Sequence, residues 1–509
     1  MSVNREVAAE AIAVLRAHEV GEVVICAGAR NAPLLVPLLE LRDRGELRVW
    51  HHFDERAAAF FALGRIRRTR APVAVVTTSG TAVAELLPAT VEAHYAGLPL
   101  VLLTADRPAS FRGSGAPQAI EQEQIFGCYA ACASSGQDAL GWGGRSPLHL
   151  NVCFDEPVAG ETDHLDIPAW TRGEPSTSPA QPKPAWPDLP DPVILVGELD
   201  ESLRGEVCDW IRDCRAPVWC EATSGLREER GWRNRAALDE RDLAAWNVGS
   251  VLRFGGVPSL RFWRDLESRP GLPVLSLTPT GFSGLARDSD VFPLEPGCLR
   301  DVPPVGADGR FPRRSEELEA CLSRHPRSEP GLVRRLSEVI PAEAIVFLGN
   351  SLPIREWNSA ATVDVPHPRC FANRGANGID GEVSTFLGLA ADGGESWGIF
   401  GDLTALYDLN APWIDRQFDG GRRRIVVLNN GGGRIFSRLP SMRDLAEERK
   451  RVSENRHDLT FEHWAGLWGW NHVRWNGEFP FPDIDGDRAL VEIEVDGEET
   501  EKFWAERAG

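Results

Sequence analysis

A chain of 509 residues is too long for one hydrophobic core and points to about three domains. Its net charge of -20 and pI near 5.1 argue against nucleic acid as the main partner, so anionic ligands would need locally clustered arginines. With 42% hydrophobic and 26% charged residues, and apolar runs such as 98–103 well short of a bilayer span, the composition is that of a globular protein without stable membrane insertion.

Residues 1–20 carry Glu6, Glu10 and Glu19 through a helical pattern instead of an uninterrupted apolar stretch, so no signal peptide is evident and the cytoplasm is the expected compartment. The ten cysteines have no metal-like CxxC spacing, and reduced, mostly buried thiols are expected. Seventeen tryptophans against two methionines suggest no particular function.

From residue 1 to about 170, the apolar runs VVICAG, LRVWHHF, APVAVVTT, LPLVLLTA and PLHLNVCF alternate with helical patterns. This alternation predicts a parallel sheet wrapped by helices. The loops after the runs carry the polar chemistry. In AGARNAPL, Arg30 follows a strand and precedes a helix, where a guanidinium can hold a carboxylate through two parallel bonds or remain a surface cation. In HHFDERAAAFFALG, Glu55 opens a helix whose alanine and phenylalanine stripe faces the core; by position alone it is a first-turn acid that complements the helix dipole. His51 and His52 have no companion ligands at metal spacing. Thr78, Ser79, Gly80 and Thr81 form a small-residue turn at a helix start, suited to an approaching ring or anion and equally to a plain cap. In TADRPASFRGSGAPQAIEQEQIFG, Arg107, Arg112 and Gln118 gather in an irregular segment, the kind of loop that carries binding residues on a rigid sheet.

Residues 171–191, rich in proline and serine, read as an extended linker. The runs PVILVG, APVWCEA, SVLRFGG and LPVLSLT then predict a second α/β domain over 192–328, with Arg261 on the surface of an amphipathic helix. From residue 329, AIVFLGNSLPIREWN reads as strand, polar turn and helix, placing Ser351 and Arg355 near the strand's end and one helical turn apart. FANRGANGIDGEVSTFLG adds Asn373, Arg374 and glycines dense enough for an irregular backbone around a ligand.

Two later runs, WGIFGD and IVVLNNGGG, each stop at polar and glycine residues, the pattern of a buried parallel strand opening into a loop. Residues 404–418 between them are long enough for a helical crossover, so Asp402 and Asn430 are expected at the same edge of one sheet, where ligands bind in such folds. The Asp402 carboxylate, the Asn430 amide oxygen and a carbonyl near Gly432 are hard donors that suit magnesium completed by phosphate oxygens and water. Gly431, Gly432 and Gly433 permit close backbone approach to a diphosphate. Asp402 can equally cap the following helix, and the glycines can form an ordinary turn.

The pairing of the GD element with the NNGGG loop resembles the magnesium and diphosphate motif of thiamine diphosphate enzymes. The succession AGARNAPL, FDERAAAFFALG, TTSGTAVAELLPATVEA, LTADRP and GAPQAIEQ resembles the 2-succinyl-5-enolpyruvyl-6-hydroxy-3-cyclohexene-1-carboxylate synthases, a thiamine diphosphate-dependent family of menaquinone biosynthesis. The likeness extends, with weaker stretches, over most of the chain. It implies an α/β fold of three doubly wound parallel-sheet domains of the decarboxylase and carboligase type. These are a pyrimidine-binding domain at 1–170, the linker at 171–191, a central domain at 192–328 and a diphosphate-binding domain at 329–509.

The resemblance further implies that Glu55 is catalytic, hydrogen-bonding the cofactor's pyrimidine ring and favouring its imino tautomer. It implies cofactor contacts at Thr78, Ser79, Gly80, Gly401, Asp402, Leu403, Asn430, Gly432, Gly433, Ile435 and Phe436, with magnesium or manganese on Asp402, Asn430 and Gly432. The implied substrates, 2-oxoglutarate and isochorismate, are both dicarboxylates, which gives a physical reason for Arg30, Arg107, Arg355 and Arg374. Gln118, Arg261, Ser351, Ile379 and Leu439 complete the implied substrate positions. Ala29, Pro117 and Phe262 stand where the family has polar or basic residues, so another oxo acid is the competing expectation. Retention of Glu55, Asp402 and Asn430 together speaks against a non-catalytic protein, and no GxGxxG follows the early strands to support a dehydrogenase. A homodimer is the minimum active unit implied, and a homotetramer is compatible with it.

Overall fold

The computed structural model describes residues 3–133, 135–156, 165–169, 186–232, 236–237, 240–244, 248–306, 315–439, 441–442, 445–478 and 480–508. Most of the expected linker, 171–185 of 171–191, lies outside the described residues. The chain separates into two compact units. One comprises 1–182, 375–392 and 408–419; the other comprises 183–374, 393–407 and 420–509.

Three sheets, each wholly parallel, carry the fold. The first contains β1 (Glu22–Ile25), β2 (Arg48–His51), β3 (Val73–Thr77), β4 (Leu100–Asp106), β5 (Ala131–Ala133) and β6 (Leu148–Cys153), in the order β2-β1-β3-β4-β6-β5. The second contains β7 (Pro192–Val196), β8 (Val218–Cys220), β9 (Ser250–Phe254), β10 (Val274–Thr278) and β11 (Asp290–Pro293), in the order β11-β10-β9-β7-β8. The third contains β12 (Ile345–Leu348), β13 (Cys370–Phe371), β14 (Glu395–Gly401), β15 (Arg422–Asn429), β16 (Asn471–Trp475) and β17 (Arg488–Glu494), in the order β13-β12-β14-β15-β17-β16.

Every residue of β1, β3, β4, β7, β9 and β10 is buried, which is why these strands read as continuous apolar runs instead of alternating ones. The short or exposed strands β5, β11 and β13 lack that signal and lie at sheet edges. Strand order reverses between β1 and β3 in the first sheet and between β12 and β14 in the third. Such a reversal opens a crevice outside the carboxyl ends of the strands, where ligands bind.

In the first unit, helix Glu55–Thr69 packs on helix Glu382–Ala390. Glycines set the closeness of that crossing: a Cβ on Gly64 would lie 2.0 Å from the Thr385 carbonyl oxygen, and one on Gly388 would lie 2.3 Å from that of Phe61. Arg65 crosses the same junction, gripping Glu22 with Nε at 2.8 Å and Nη2 at 2.6 Å and donating to the Gly388 carbonyl at 3.0 Å. This buried charge is paired on every side, which keeps the cost of its desolvation from falling on the fold.

The crossover after β14 is not one helix over 404–418. It is a helix at Asp402–Tyr407 followed by a 3-10 segment at Ala411–Gln417. Pro412 accounts for the break, because it cannot donate to the carbonyl four residues earlier and its ring clashes there. The tryptophans are largely core residues: Trp50, Trp219, Trp232 and Trp357 are among the largest fully buried side chains. All ten cysteines are free thiols, with Cys26, Cys208, Cys214, Cys220, Cys321 and Cys370 buried. Among the described residues, no helix is long and apolar enough to cross a membrane.

Candidate active site

At the switch point of the first sheet, the loops after β1 and β3 press together. A Cβ on Gly28 would lie 2.5 Å from that of Thr78, so only glycine fits. Asn31 ties the first loop, accepting from the Gly28 amide at 2.9 Å and donating to the Cys26 carbonyl at 2.9 Å. Ser79 is buried, and Gly80, at φ +89°, starts the short helix Thr81–Ala84. The Gly80 amide donates to Gln122 Oε1 at 2.9 Å, while Gln122 Nε2 donates to Asn151 Oδ1 at 2.8 Å and to the Ala105 carbonyl at 3.1 Å. Gln122 and Asn151 thus fix the turn that the sequence marks only by its small residues.

Glu55 begins its helix immediately after Asp54, whose carboxylate accepts the Ala57 amide at 3.0 Å. Asp54 is therefore the cap, and the Glu55 side chain is left without that task. Burial raises the Glu55 carboxyl above its ordinary range; a backbone bond opposes the shift, and the nearby charges of Asp54 and Glu85 add to it. A carboxyl in this state can share a proton with a ring nitrogen.

Arg30 is buried, and it donates to the Phe154 carbonyl at 3.1 Å and to Glu156 at 3.0 Å. Glu156 is largely exposed, so the pair leaves Arg30 with a carboxylate partner that an incoming one could replace. Arg107 donates to the Pro117 carbonyl at 3.1 Å and stacks over Phe111 at 5.1 Å, while Gln118 is exposed with φ +57°. Pro117 thereby supplies a backbone contact even where its side chain cannot hydrogen-bond.

In the second unit, Asp402 follows β14 and Asn430 follows the adjacent β15, at one edge of the third sheet as expected. Asp402 is buried; its Oδ2 accepts the Gly432 amide at 2.9 Å and its Oδ1 the Leu403 amide at 2.6 Å. It therefore both opens the following helix and ties the glycine loop. Burial is the first cause that raises its pKa, with the Gly432 amide and His457 opposing. Gly431 and Gly432 have φ +73° and +129°, and a Cβ on Gly432 would lie 2.5 Å from the Glu454 carbonyl oxygen. No other residue fits that backbone without moving it.

Asn430 donates through Nδ2 to both Glu329 oxygens, at 3.0 and 3.2 Å, while its buried Oδ1 has no hydrogen-bond partner. A buried carboxylate beside an orphaned amide oxygen is a donor set that fits a hard divalent cation. Glu329 is buried, and burial pushes its carboxyl up to about 7, with Arg438 as the largest opposing influence. Arg438 lies 3.3 Å from Glu356 and 3.8 Å from Glu329, bridging the two buried acids. Glu329, Glu356 and Arg438 escaped the sequence reading because a glutamate after Ser328, at a helix start, looks like any first-turn acid.

The switch point of the third sheet gathers the second arginine group. Ser351 adopts φ +70° as the residue before helix Leu352–Ala360. Arg374 donates to Asn350 Oδ1 at 2.9 Å and lies 3.9 Å from Glu221. Arg355 donates to the Ser351 carbonyl. Desolvation first and the Arg374 charge second lower the pKa of Arg355, with Glu240 opposing. Arg374 is buried and Arg355 exposed, and together they set positive charge beside a strand terminus, which suits an anion. Arg261 is exposed, with Nε 3.6 Å from Asp265, and its backbone amide donates to Glu240. The helix-surface alternative describes its side chain, and the neighbouring Phe262 is a core residue of the central sheet.

The remaining implied positions are scattered by exposure. Gly401, Leu403, Ile435 and Leu439 are half-buried, Phe436 is exposed, and the Phe436 ring lies 3.1 Å from where a Cβ on Gly433 would stand. Ile379 is half-buried in the first unit, where the Gly375 and Ala376 amides donate to Glu92 at 2.8 and 2.6 Å.

Residues 5–125 match the family described as the N-terminal TPP-binding domain of thiamine pyrophosphate enzymes. The chain is 40% identical to the 2-succinyl-5-enolpyruvyl-6-hydroxy-3-cyclohexene-1-carboxylate synthase of Bdellovibrio bacteriovorus, across 99% of its own length and 98% of the relative. It is 42% identical to the enzyme of that name from Akkermansia muciniphila, across 95% and 94%, and 33% identical to that of a Synechococcus strain, across 82% and 81%. The parallel sheets, the glycine-built loops and these near full-length similarities together place the chain in the thiamine diphosphate-dependent 2-succinyl-5-enolpyruvyl-6-hydroxy-3-cyclohexene-1-carboxylate synthase family.

Proposed function

We propose that the chain decarboxylates 2-oxoglutarate and joins the remaining succinyl unit to isochorismate. The observation that carries the substrate reading is the Arg355 and Arg374 pair at the third sheet's switch point, in the same unit as Asp402 and Asn430. When bound, thiamine diphosphate would supply a nucleophilic carbon that adds to the oxo acid's keto carbon and a cationic ring that takes up the electron pair left by carbon dioxide. The chain's own residues bind, orient and move protons around it. Glu55 holds a proton at the pyrimidine ring, using a carboxyl that burial has made a better proton carrier. Asp402, Asn430 and the Gly432 backbone would hold magnesium or manganese, and the glycine loop would let the diphosphate approach. Arg30, Arg107, Arg355 and Arg374 orient the carboxylates of the two substrates, because bidentate pairing fixes direction as well as charge.

Under this reading the domains keep the boundaries 1–170, 192–328 and 329–509, with the pyrimidine site in the first and the diphosphate site in the last. A cytoplasmic homodimer or homotetramer is the working assembly, each cofactor drawing on both copies. The competing reading, a carboligase for another oxo acid, is favoured only by Ala29 and Pro117, since Phe262 belongs to the core.

Steady-state kinetics of Arg355→Ala and Arg374→Ala test the proposal. Each is expected to lower kcat/KM for a dicarboxylate substrate by about 10- to 100-fold, the worth of one charge-assisted bond of roughly 1.5–3 kcal/mol, with cofactor binding retained. Equal loss on the monocarboxylate pyruvate would contradict the assignment.

A further inference from the structure

A second cluster of ligating side chains lies away from the glycine loop, where the C-terminal helix meets the start of the last domain. His325 follows helix Ser315–Arg324, and its amide donates to the Cys321 carbonyl at 3.0 Å. Cys321 and His325 therefore stand one turn apart on the same face. Helix Gly497–Ala508 packs against that face, with Leu318, Cys321, Leu322, Ala360 and Phe503 forming a small apolar core. Glu506 on this helix lies 3.0 Å from His325 Nε2. Glu499, on the same helix, lies 3.2 Å from His325 Nδ1. The Cys321 sulfur, a His325 ring nitrogen and a Glu506 oxygen all lie within 4.8 Å of one another.

We propose that Cys321, His325 and Glu506 bind a thiophilic divalent cation of the zinc type, with Glu499 as the outer partner of His325. A tetrahedral zinc ion with bonds of about 2.0–2.3 Å holds its ligand atoms roughly 3.3–3.7 Å apart, so small side-chain movements complete the cup. A carboxylate on the far ring nitrogen is the usual device that fixes a ligating histidine's tautomer, leaving the Nε2 lone pair for the ion. A sulfur, an imidazole and one carboxylate favour zinc over magnesium, which prefers oxygen alone. Binding exchanges the thiol proton, released to solvent, for a metal–sulfur bond and involves no change of oxidation state. Burial first, then the Glu506 charge, pushes the Cys321 thiol up to about 11, so the ion must displace its proton. Arg324 is the resident competitor, since it pairs with both Glu506 oxygens.

The site would act as a clamp. Between Glu499 and Glu506 on the same helix, Thr500 Oγ1 accepts the Glu329 amide at 3.0 Å, and Ser328 Oγ donates to the His325 carbonyl at 2.6 Å. Trp504 stacks with Arg438 at 4.4 Å. An ion joining His325 to Glu506 would thus hold the helix that backs Glu329 and Arg438, beneath Asn430. This proposal does not depend on the identity of the substrates.

The test uses the full chain, stripped by a chelator and titrated with cobalt(II) in the absence of thiamine diphosphate and magnesium. One cobalt per chain is expected, with a thiolate charge-transfer band, displacement by zinc, and a zinc-dependent rise in Tm. Both signals should vanish in Cys321→Ser, and Glu499→Gln, which leaves the ligands in place, should weaken binding about 10- to 100-fold. Arg324→Gln should tighten it. A stoichiometric titration with no thiolate band, or a band and Tm rise unchanged in Cys321→Ser, would overturn the site.

Discussion

Glu55 and Asn430 each owe their availability to a neighbour that takes over a routine duty. Asp54 accepts the helix amide that a first-turn acid would otherwise meet, so Glu55 remains free to exchange a proton. Replacing it with glutamine preserves shape and hydrogen bonding but removes the proton. Glu55→Gln is therefore expected to retain thiamine diphosphate binding while kcat falls about 10²–10⁴-fold, the usual worth of a placed acid or base; near-normal turnover would reject the role. Glu329 does the corresponding work for Asn430 by accepting both of its amide contacts, which leaves the other end of the amide, Oδ1, for a ligand. Glu329→Ala should weaken magnesium binding, read by calorimetry with the diphosphate present, about 10- to 100-fold. Glu329→Gln keeps an acceptor and should recover most of it. Magnesium affinity in the alanine variant equal to that of the parent would show that Asn430 is held by other means. The placement of Asp402, Asn430 and Glu55 was legible in the sequence because each stands at a strand or helix terminus with a distinctive neighbourhood. Glu329 was not, since the partner that gives it meaning lies 101 residues away.

Elements were legible where burial is two-sided. Strands β3, β4, β9 and β10 announce themselves as unbroken apolar runs, whereas β5, β11 and β13 are short edge strands whose pairing comes from their neighbours. The crossing of helices Glu55–Thr69 and Glu382–Ala390 was hidden for another reason: the glycines that permit it look like ordinary weak points until the partner backbone is seen. Helix Glu382–Ala390 is anchored by Asp408, whose Oδ2 accepts the Ser384 amide at 2.7 Å. Burial pushes the Asp408 carboxyl up to about 6 from an ordinary value of 3.8. The folded state therefore binds this proton more tightly than the unfolded chain does. Its contribution to stability is greatest below the unfolded pKa and is lost as pH rises through about 6. Asp408→Asn should flatten the pH dependence of the denaturation midpoint between about pH 4 and 6, by on the order of 3 kcal/mol across the window. Parallel pH profiles for the two proteins would remove Asp408 from that account.

For the whole molecule, three parallel sheets give three carboxyl edges, and the chemistry is unevenly distributed among them. The first edge carries Glu55 and the small-residue turn, the third carries Asp402, Asn430 and the arginines Arg355 and Arg374, and the central sheet contributes buried Glu221, which follows β8 and lies 3.9 Å from Arg374. That division was readable from the order of motifs along the chain, because parallel topology sends every strand's end to the same edge. The proposed substrates rest on charge: in a protein of net charge -20, arginines at strand termini stand out as local sites for anions. The most direct measurement supplies the purified chain with thiamine diphosphate, magnesium, isochorismate and uniformly ¹³C-labelled 2-oxoglutarate, and follows the products by mass spectrometry. The account predicts one labelled carbon dioxide for each adduct that retains the other four labelled carbons. Carbon dioxide release with isochorismate unchanged, or no release from 2-oxoglutarate at all, would contradict it.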